Sequence, residues 1–234
     1  MKTYRVLSLL LSYPKQEWLD HLTEFRQALD QEQLLSKSKI KGLNELMDRL
    51  ETNDLIDLQE HYVATFDRGP AHSLHLFEHI HGESRDRGQA MIDLMEMYSV
   101  NGFGIATSEL PDHLPVFLEF LSSGTPKEAS HVLGETGKVL MLIKERMAKK
   151  KLDYRYIFSA LTELGKSKVN RKKIKQLVAQ EQDEVSFEDI DKQWVEPEAF
   201  GKNPFKSRNY LNQKIKVNIQ ESKGQPFDST GVIS

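Results

Sequence analysis

Apolar residues recur three and four positions apart along most of the chain, as in Leu19, Leu22, Phe25 and Leu29 and again in Leu43, Leu46, Met47 and Leu50. That spacing places one apolar stripe on a helix, whereas a strand alternates by two. The pattern predicts helices over 3–12, 16–32, 38–51, 54–67, 72–81, 84–99, 111–122, 126–149, 153–166 and 170–182. The punctuation agrees: Pro14, Asp54, Ser84 and Pro126 read as starts, and Gly69, Gly82, Gly102 and Gly124 as stops. No Asn-Gly hairpin signal interrupts the series, and no internal repeat is visible. The expectation is an all-α protein, a single compact helical-bundle domain over 1–195 in which each helix buries one stripe against its neighbours.

Beyond Val195 the pattern fails. Residues 196–234 are rich in Asn, Gln, Lys, Ser, Gly and Pro with scattered apolar positions, too few to offset the entropy of ordering. They read as a flexible polar tail, and the short Lys214–Ile219 alternation has no second strand to join. Just before the tail, six cations and no acid lie between Lys166 and Lys175, and six acids and no cation between Glu181 and Asp191. These read as solvated segments of opposite sign.

Composition narrows the classes of function. A chain of 234 residues buries a real core without crosslinks. With 32 Lys plus Arg against 35 Asp plus Glu the formal charge is −3, so nothing argues for nucleic acid as a partner. The absence of cysteine removes disulfides, thiol nucleophiles, iron–sulfur clusters and thiolate zinc sites. The apolar run Val6–Leu11 is far short of the roughly 20 residues that cross a bilayer. It also lacks the core and cleavage site of a secretory signal, which predicts a cytoplasmic protein with no direct membrane insertion.

Two segments break the smooth amphipathic pattern. The first is Phe66-Asp67-Arg68-Gly69, continuing through Leu76-Phe77-Glu78-His79-Ile80-His81-Gly82-Glu83-Ser84-Arg85-Asp86-Arg87-Gly88-Gln89-Ala90-Met91; the second is Glu109-Leu110-Pro111-Asp112-His113-Leu114-Pro115. Glu78/His81 and Glu128/His131 have the Glu-x-x-His spacing of di-iron bundles, but each pair falls at a helix end rather than facing inward from mid-helix. His72, His75 and His79 fall near one face of the predicted 72–81 helix, where a histidine stripe is more often structural than a chelator. No nucleophile elbow, phosphate loop or dinucleotide fingerprint is present, and Asp112-His113 reverses the order a His-Asp phosphohydrolase needs. The segments instead supply mixed charge beside apolar residues, which suits a groove holding an apolar peptide with polar groups at its ends. Pro111 reads as a first helical residue; an acid at Asp112 then gains from the helix dipole, whereas His113 gains nothing.

These segments, with the opening Leu-Leu-Leu-Ser-Tyr-Pro of Leu9–Pro14, closely resemble the NarJ-type assembly chaperones of respiratory nitrate reductase, within the wider TorD-like family of redox-enzyme maturation chaperones. The likeness runs from about residue 3 to 195 and is densest between 62 and 121. The resemblance implies an all-helical chaperone, not an enzyme, with no cofactor of its own. It implies binding to the N-terminal segment of the apo catalytic α subunit of nitrate reductase, so that the subunit stays open for molybdenum cofactor insertion and membrane docking is delayed. Molybdenum cofactor biosynthesis proteins are implied as further partners. In the wider family the Pro-x-Asp-His element is tied to peptide recognition, and it falls here on Pro111, Asp112 and His113. The peptide-binding set expected from the motifs is Phe66, Asp67, Arg68, Phe77, Glu78, His79, His81, Glu83, Arg85, Asp86, Arg87, Glu109, Leu110, Pro111, Asp112 and His113. The alternative from another class is a His/carboxylate metalloenzyme.

Overall fold

The computed structural model describes residues 1–82, 84–106 and 108–181, and among them the regular structure is helical. The tail expected over 196–234 and the acidic segment beyond Glu181 lie outside the described residues.

The centre is α8, Leu114–Ser123, which is apolar on nearly every side: Leu114, Phe117 and Leu118 are fully buried. A helix with no polar face must be covered all round. α1, Lys2–Leu10, packs along it through Tyr4, Leu7 and Leu10, and the Ser8 hydroxyl donates to the Pro115 carbonyl at 2.8 Å. Around α1 the chain forms the short α2, Gln16–Leu19, then α3, Leu22–Glu32, and α4, Lys37–Thr52. The continuous helix expected over 16–32 is broken at Asp20 and His21. Trp18 turns inward there and its indole N–H donates to the Tyr13 carbonyl at 3.2 Å, so the chain changes direction before α3 begins.

On the other side α9, Pro126–Glu135, opens with a complete capping box between Thr125 and Glu128, so Glu128 caps its own helix. α10, Gly137–Lys149, packs on α11, Arg155–Leu164, and on α12, Arg171–Gln180. The single helix expected over 126–149 bends at Thr136, whose hydroxyl donates to the Leu133 carbonyl at 2.9 Å. Packing places the bend: a Cβ on Gly134 would lie 2.7 Å from the Gly165 carbonyl oxygen, and one on Gly137 2.3 Å from Ser167 Cβ. Only glycines let the chain after α11 press this closely on the α9–α10 corner.

The remaining helices carry the motifs. α5, Leu55–Phe66, is followed by one 3-10 turn at Pro70–His72, then by α6, Leu76–His81, and α7, Arg85–Val100. Ser84 caps α7 by accepting from the Asp86 N–H, and Gly82 and Gly102 end α6 and α7 at φ +53° and +71°. The helix expected over 72–81 is thus divided. Pro70 starts a tight turn, and His75 is held extended by a bridge described below, so α6 begins only at Leu76.

Candidate functional site

The two motif segments, far apart in sequence, are laced together by backbone. His75 and His113 form an isolated antiparallel bridge, with the Leu76 N–H donating to the Asp112 carbonyl at 3.1 Å and the Leu114 N–H to the Leu74 carbonyl at 2.8 Å. Their rings lie 5.2 Å apart. Asp112 sits beneath, with no solvent exposure. One carboxylate oxygen accepts the Phe77 N–H at 3.0 Å and the other lies 3.1 Å from His75 Nδ1. A buried carboxylate has to be satisfied in this way, and two donors from one helix start do so.

The geometry corrects the reading of Pro111 as a first helical residue. α8 starts three residues later with His113 as its cap position, and Pro115 is the proline of its first turn. Pro111 is buried in the preceding turn, where its carbonyl accepts the Tyr98 hydroxyl at 2.8 Å. Asp112 owes its place to α6 rather than to a helix dipole.

The histidines do not form one stripe. His72 Nδ1 lies 3.3 Å from the Thr65 carbonyl, His79 Nε2 lies 2.8 Å from the Ser73 carbonyl, and His75 faces Asp112. Among the described residues no group of three or more His, Asp or Glu side chains is assembled that could hold a metal ion. Burial pushes the His79 imidazole down to about 4. The hydrogen bond with Asp112 raises His75 above the ordinary value. His113 is pushed down by burial, with Glu109, Asp112 and Asp67 pulling the other way, and Glu109 Oε2 stands 3.8 Å from its Nδ1. His81, the last residue of α6, sits edge-on to Phe77 at 5.6 Å and is likewise lowered by burial.

The sixteen motif residues therefore fall into layers. Phe66 and Phe77 are core residues, so the expectation that they line an open apolar groove does not hold in this structure. The Phe66 ring packs tilted against Tyr62 and edge-to-face against Tyr154, with centroids 4.8 and 4.7 Å away. Asp112, Pro111 and His79 form the polar tie just above them. Asp67, Arg68, Glu109 and Leu110 are exposed, and Leu110 is 46% open to solvent. Arg85 and Asp86 are exposed on the first turn of α7, Arg87 pairs with Glu78 at 3.2 Å, and Glu83 lies outside the described residues. Sequence reasoning missed Tyr98 and Arg146. Arg146, buried on α10, clasps the Glu181 carboxylate at 2.7 Å and donates to the Ala71 carbonyl at 3.3 Å, steadying the 3-10 turn. Neither residue belongs to a local pattern that could have marked it.

The arrangement offers a polar-tied platform with a mixed charged and apolar rim, and among the described residues it assembles no metal-holding cluster. The family model described as "Nitrate reductase delta subunit" matches residues 29–160, which contain both motif segments, and the chain belongs to that family. It is 36% identical over 191 residues to the nitrate reductase molybdenum cofactor assembly chaperone NarJ of Escherichia coli K12, covering 82% of this chain and 81% of that one. It is 33% identical over 196 residues to a protein of the same organism described as "Probable nitrate reductase molybdenum cofactor assembly chaperone NarW", covering 84% and 82%. To the corresponding Bacillus subtilis NarJ-type protein it is 36% identical over 133 residues, 56% of this chain and 70% of the relative. Both Escherichia coli relatives carry the description of a nitrate reductase molybdenum cofactor assembly chaperone, the second as a probable one.

Proposed function

We propose that this protein is a system-specific chaperone of nitrate reductase, binding the N-terminal segment of its apo catalytic α subunit, keeping the subunit competent for molybdenum cofactor insertion and delaying its docking to the membrane. The carrying observation is the family match across 29–160, which takes in every motif residue, joined to 36% identity with a nitrate reductase assembly chaperone over four fifths of both chains. The site's chemistry supports the same reading. A client peptide that folds as it binds needs an apolar foothold and polar groups to fix its ends. Leu110 offers the foothold, Glu109 and His113 lie beside it in the chain, and exposed Asp67, next to Arg68, acts on the His113 ring. The tie from Asp112 to α6 keeps that rim in place without the side chain touching the client. The molybdenum cofactor biosynthesis machinery is a further partner in this reading, and the cytoplasm is where it acts. Among the described residues no helix is long and apolar enough to cross a membrane.

Calorimetric titration of the full chain with a synthetic peptide of roughly the first fifteen residues of the α subunit tests the proposal. One-to-one binding with a negative heat-capacity change is the expected result. Failure of the peptide to bind, together with failure of the α subunit to co-purify from cells respiring nitrate, overturns it.

A further inference from the structure

A second feature lies on α9 and the chain after α11, built from residues outside both motif segments. Lys127, Ser130, His131, Gly134 and Glu135 recur at i, i+3, i+4, i+7 and i+8, one face of α9. Gly165, Lys166, Ser167 and Lys168, between α11 and α12, form the facing wall, and the cleft between them has a volume of about 830 Å³. That falls within the range of small-molecule sites.

The construction of the cleft is specific. It is lined by the close Gly134–Gly165 backbone contact, where a Cβ on Gly134 would collide with the Gly165 carbonyl, and the Ser130 hydroxyl ties α9 to the Leu164 carbonyl at 2.6 Å. Lys166 takes a left-handed backbone, φ +49°, which few residues other than glycine adopt. The charge is one-sided. Lys127, Lys166 and Lys168, with His131, face a single carboxylate, Glu135. None of the three lysines forms an ion pair within 4.0 Å among the described residues. By contrast, the hollow holding Lys37 and Lys41 also holds Asp30, Glu45 and Asp48.

Cations that line one cleft without an ion pair among the described residues repel one another, and an anion held among them relieves that repulsion. A phosphoryl group carries the matching charge and acceptor oxygens, and Ser167 on the wall adds a hydroxyl. We infer that this cleft binds a small molecule bearing a phosphate or diphosphate group. The inference is independent of the client-peptide reading, because no residue is shared.

Inorganic pyrophosphate titrated into the full chain, followed by calorimetry, tests it. Saturable one-to-one binding is expected. It should weaken about tenfold or more in the Lys127→Gln/Lys166→Gln/Lys168→Gln variant, and hold in Lys37→Gln/Lys41→Gln, which removes two positive charges along a balanced hollow. Since all five lysines are exposed, the circular dichroism of both variants should match the parent. Absence of saturable binding, or equal loss in the two variants, overturns the assignment. Vesicles containing phosphatidylglycerol and a polyglutamate peptide serve as the other arms. If either binds through the three cleft lysines while pyrophosphate does not, the site reads a lipid surface or an acidic protein, and the small-molecule inference falls.

Discussion

The helices around α8 and the segment from Pro70 to His113 are held by different forces. Around α8, stability comes from area: Leu7, Leu10, Phe117, Leu140, Ile143 and Phe158 are all but inaccessible, and each contributes through many weak contacts. In the motif segment a few polar atoms decide the geometry. One carboxylate fixes the start of α6, one tyrosine hydroxyl fixes Pro111, and one arginine steadies the 3-10 turn. Distributed packing tolerates small changes and loses energy in proportion to the volume removed. A polar tie is all or nothing, since removing one member leaves a buried donor or acceptor with no partner. The motif segment is thus locally breakable within a robust scaffold, a division that suits a surface required to hold one shape for recognition.

Substitutions of each kind should separate the two regions. Phe117→Ala should cost about 4 kcal/mol, lowering the urea midpoint of the whole cooperative transition. Asp112→Ala should cost about 3 kcal/mol by orphaning the Phe77 N–H and freeing His75, whereas Asp112→Asn, which still accepts at one oxygen, should recover part of it. If Asp112→Ala melts with the parent, the polar tie is not what holds α6.

Acid gives the next effect, because two histidines of one segment respond with opposite sign. His79 titrates near 4 when folded against an ordinary 6.5, so the unfolded chain takes up the proton first. Its contribution is complete above pH 6.5 and drains away as pH falls toward 4, approaching about 3 kcal/mol. His75 is raised, so its contribution is present below its ordinary value and fades as pH rises through the folded one. Urea midpoints measured from pH 7 to pH 4 should therefore fall. In His79→Gln, which keeps an N–H for the Ser73 carbonyl but cannot titrate, they should fall less. An unchanged slope in that variant would remove His79 as the source.

Smaller still are the effects on the rim. Leu110→Ala and His113→Ala should leave the thermal midpoint within a few degrees and weaken client-peptide affinity by about tenfold, the scale of an interface contact. Equal affinity in both variants would move the client away from this rim. Arg87→Ala removes a half-exposed pair with Glu78 and should cost under about 1 kcal/mol, read as a midpoint shift of a degree or two. A larger drop would mean that Arg87 supports α6 from outside.

The helical class, the starts at Asp54, Ser84 and Pro126, and the ends at Gly82 and Gly102 were legible because each depends on residues within one or two turns. Periodicity marks which face of a helix is apolar whatever it packs against. The motif residues were legible as a set because they depart from that periodicity. Their roles were not: Asp112 reads locally as an acid at a helix start and turns out to be the buried anchor of α6, thirty-five residues earlier in the chain.

Only the tertiary structure decided where long predicted helices break and which motif residues face solvent. Thr136 bends the chain because Gly134 and Gly137 meet the segment after Gly165, and α6 starts late because His75 pairs with His113. Composition and spacing carry no record of contacts between distant parts of the chain. They fixed the period, the sign of the charge and the absence of thiol chemistry. Which phenylalanine is core, which carboxylate is a tie and which lysines share a cleft follow from how close approach and buried hydrogen bonds are satisfied together in three dimensions.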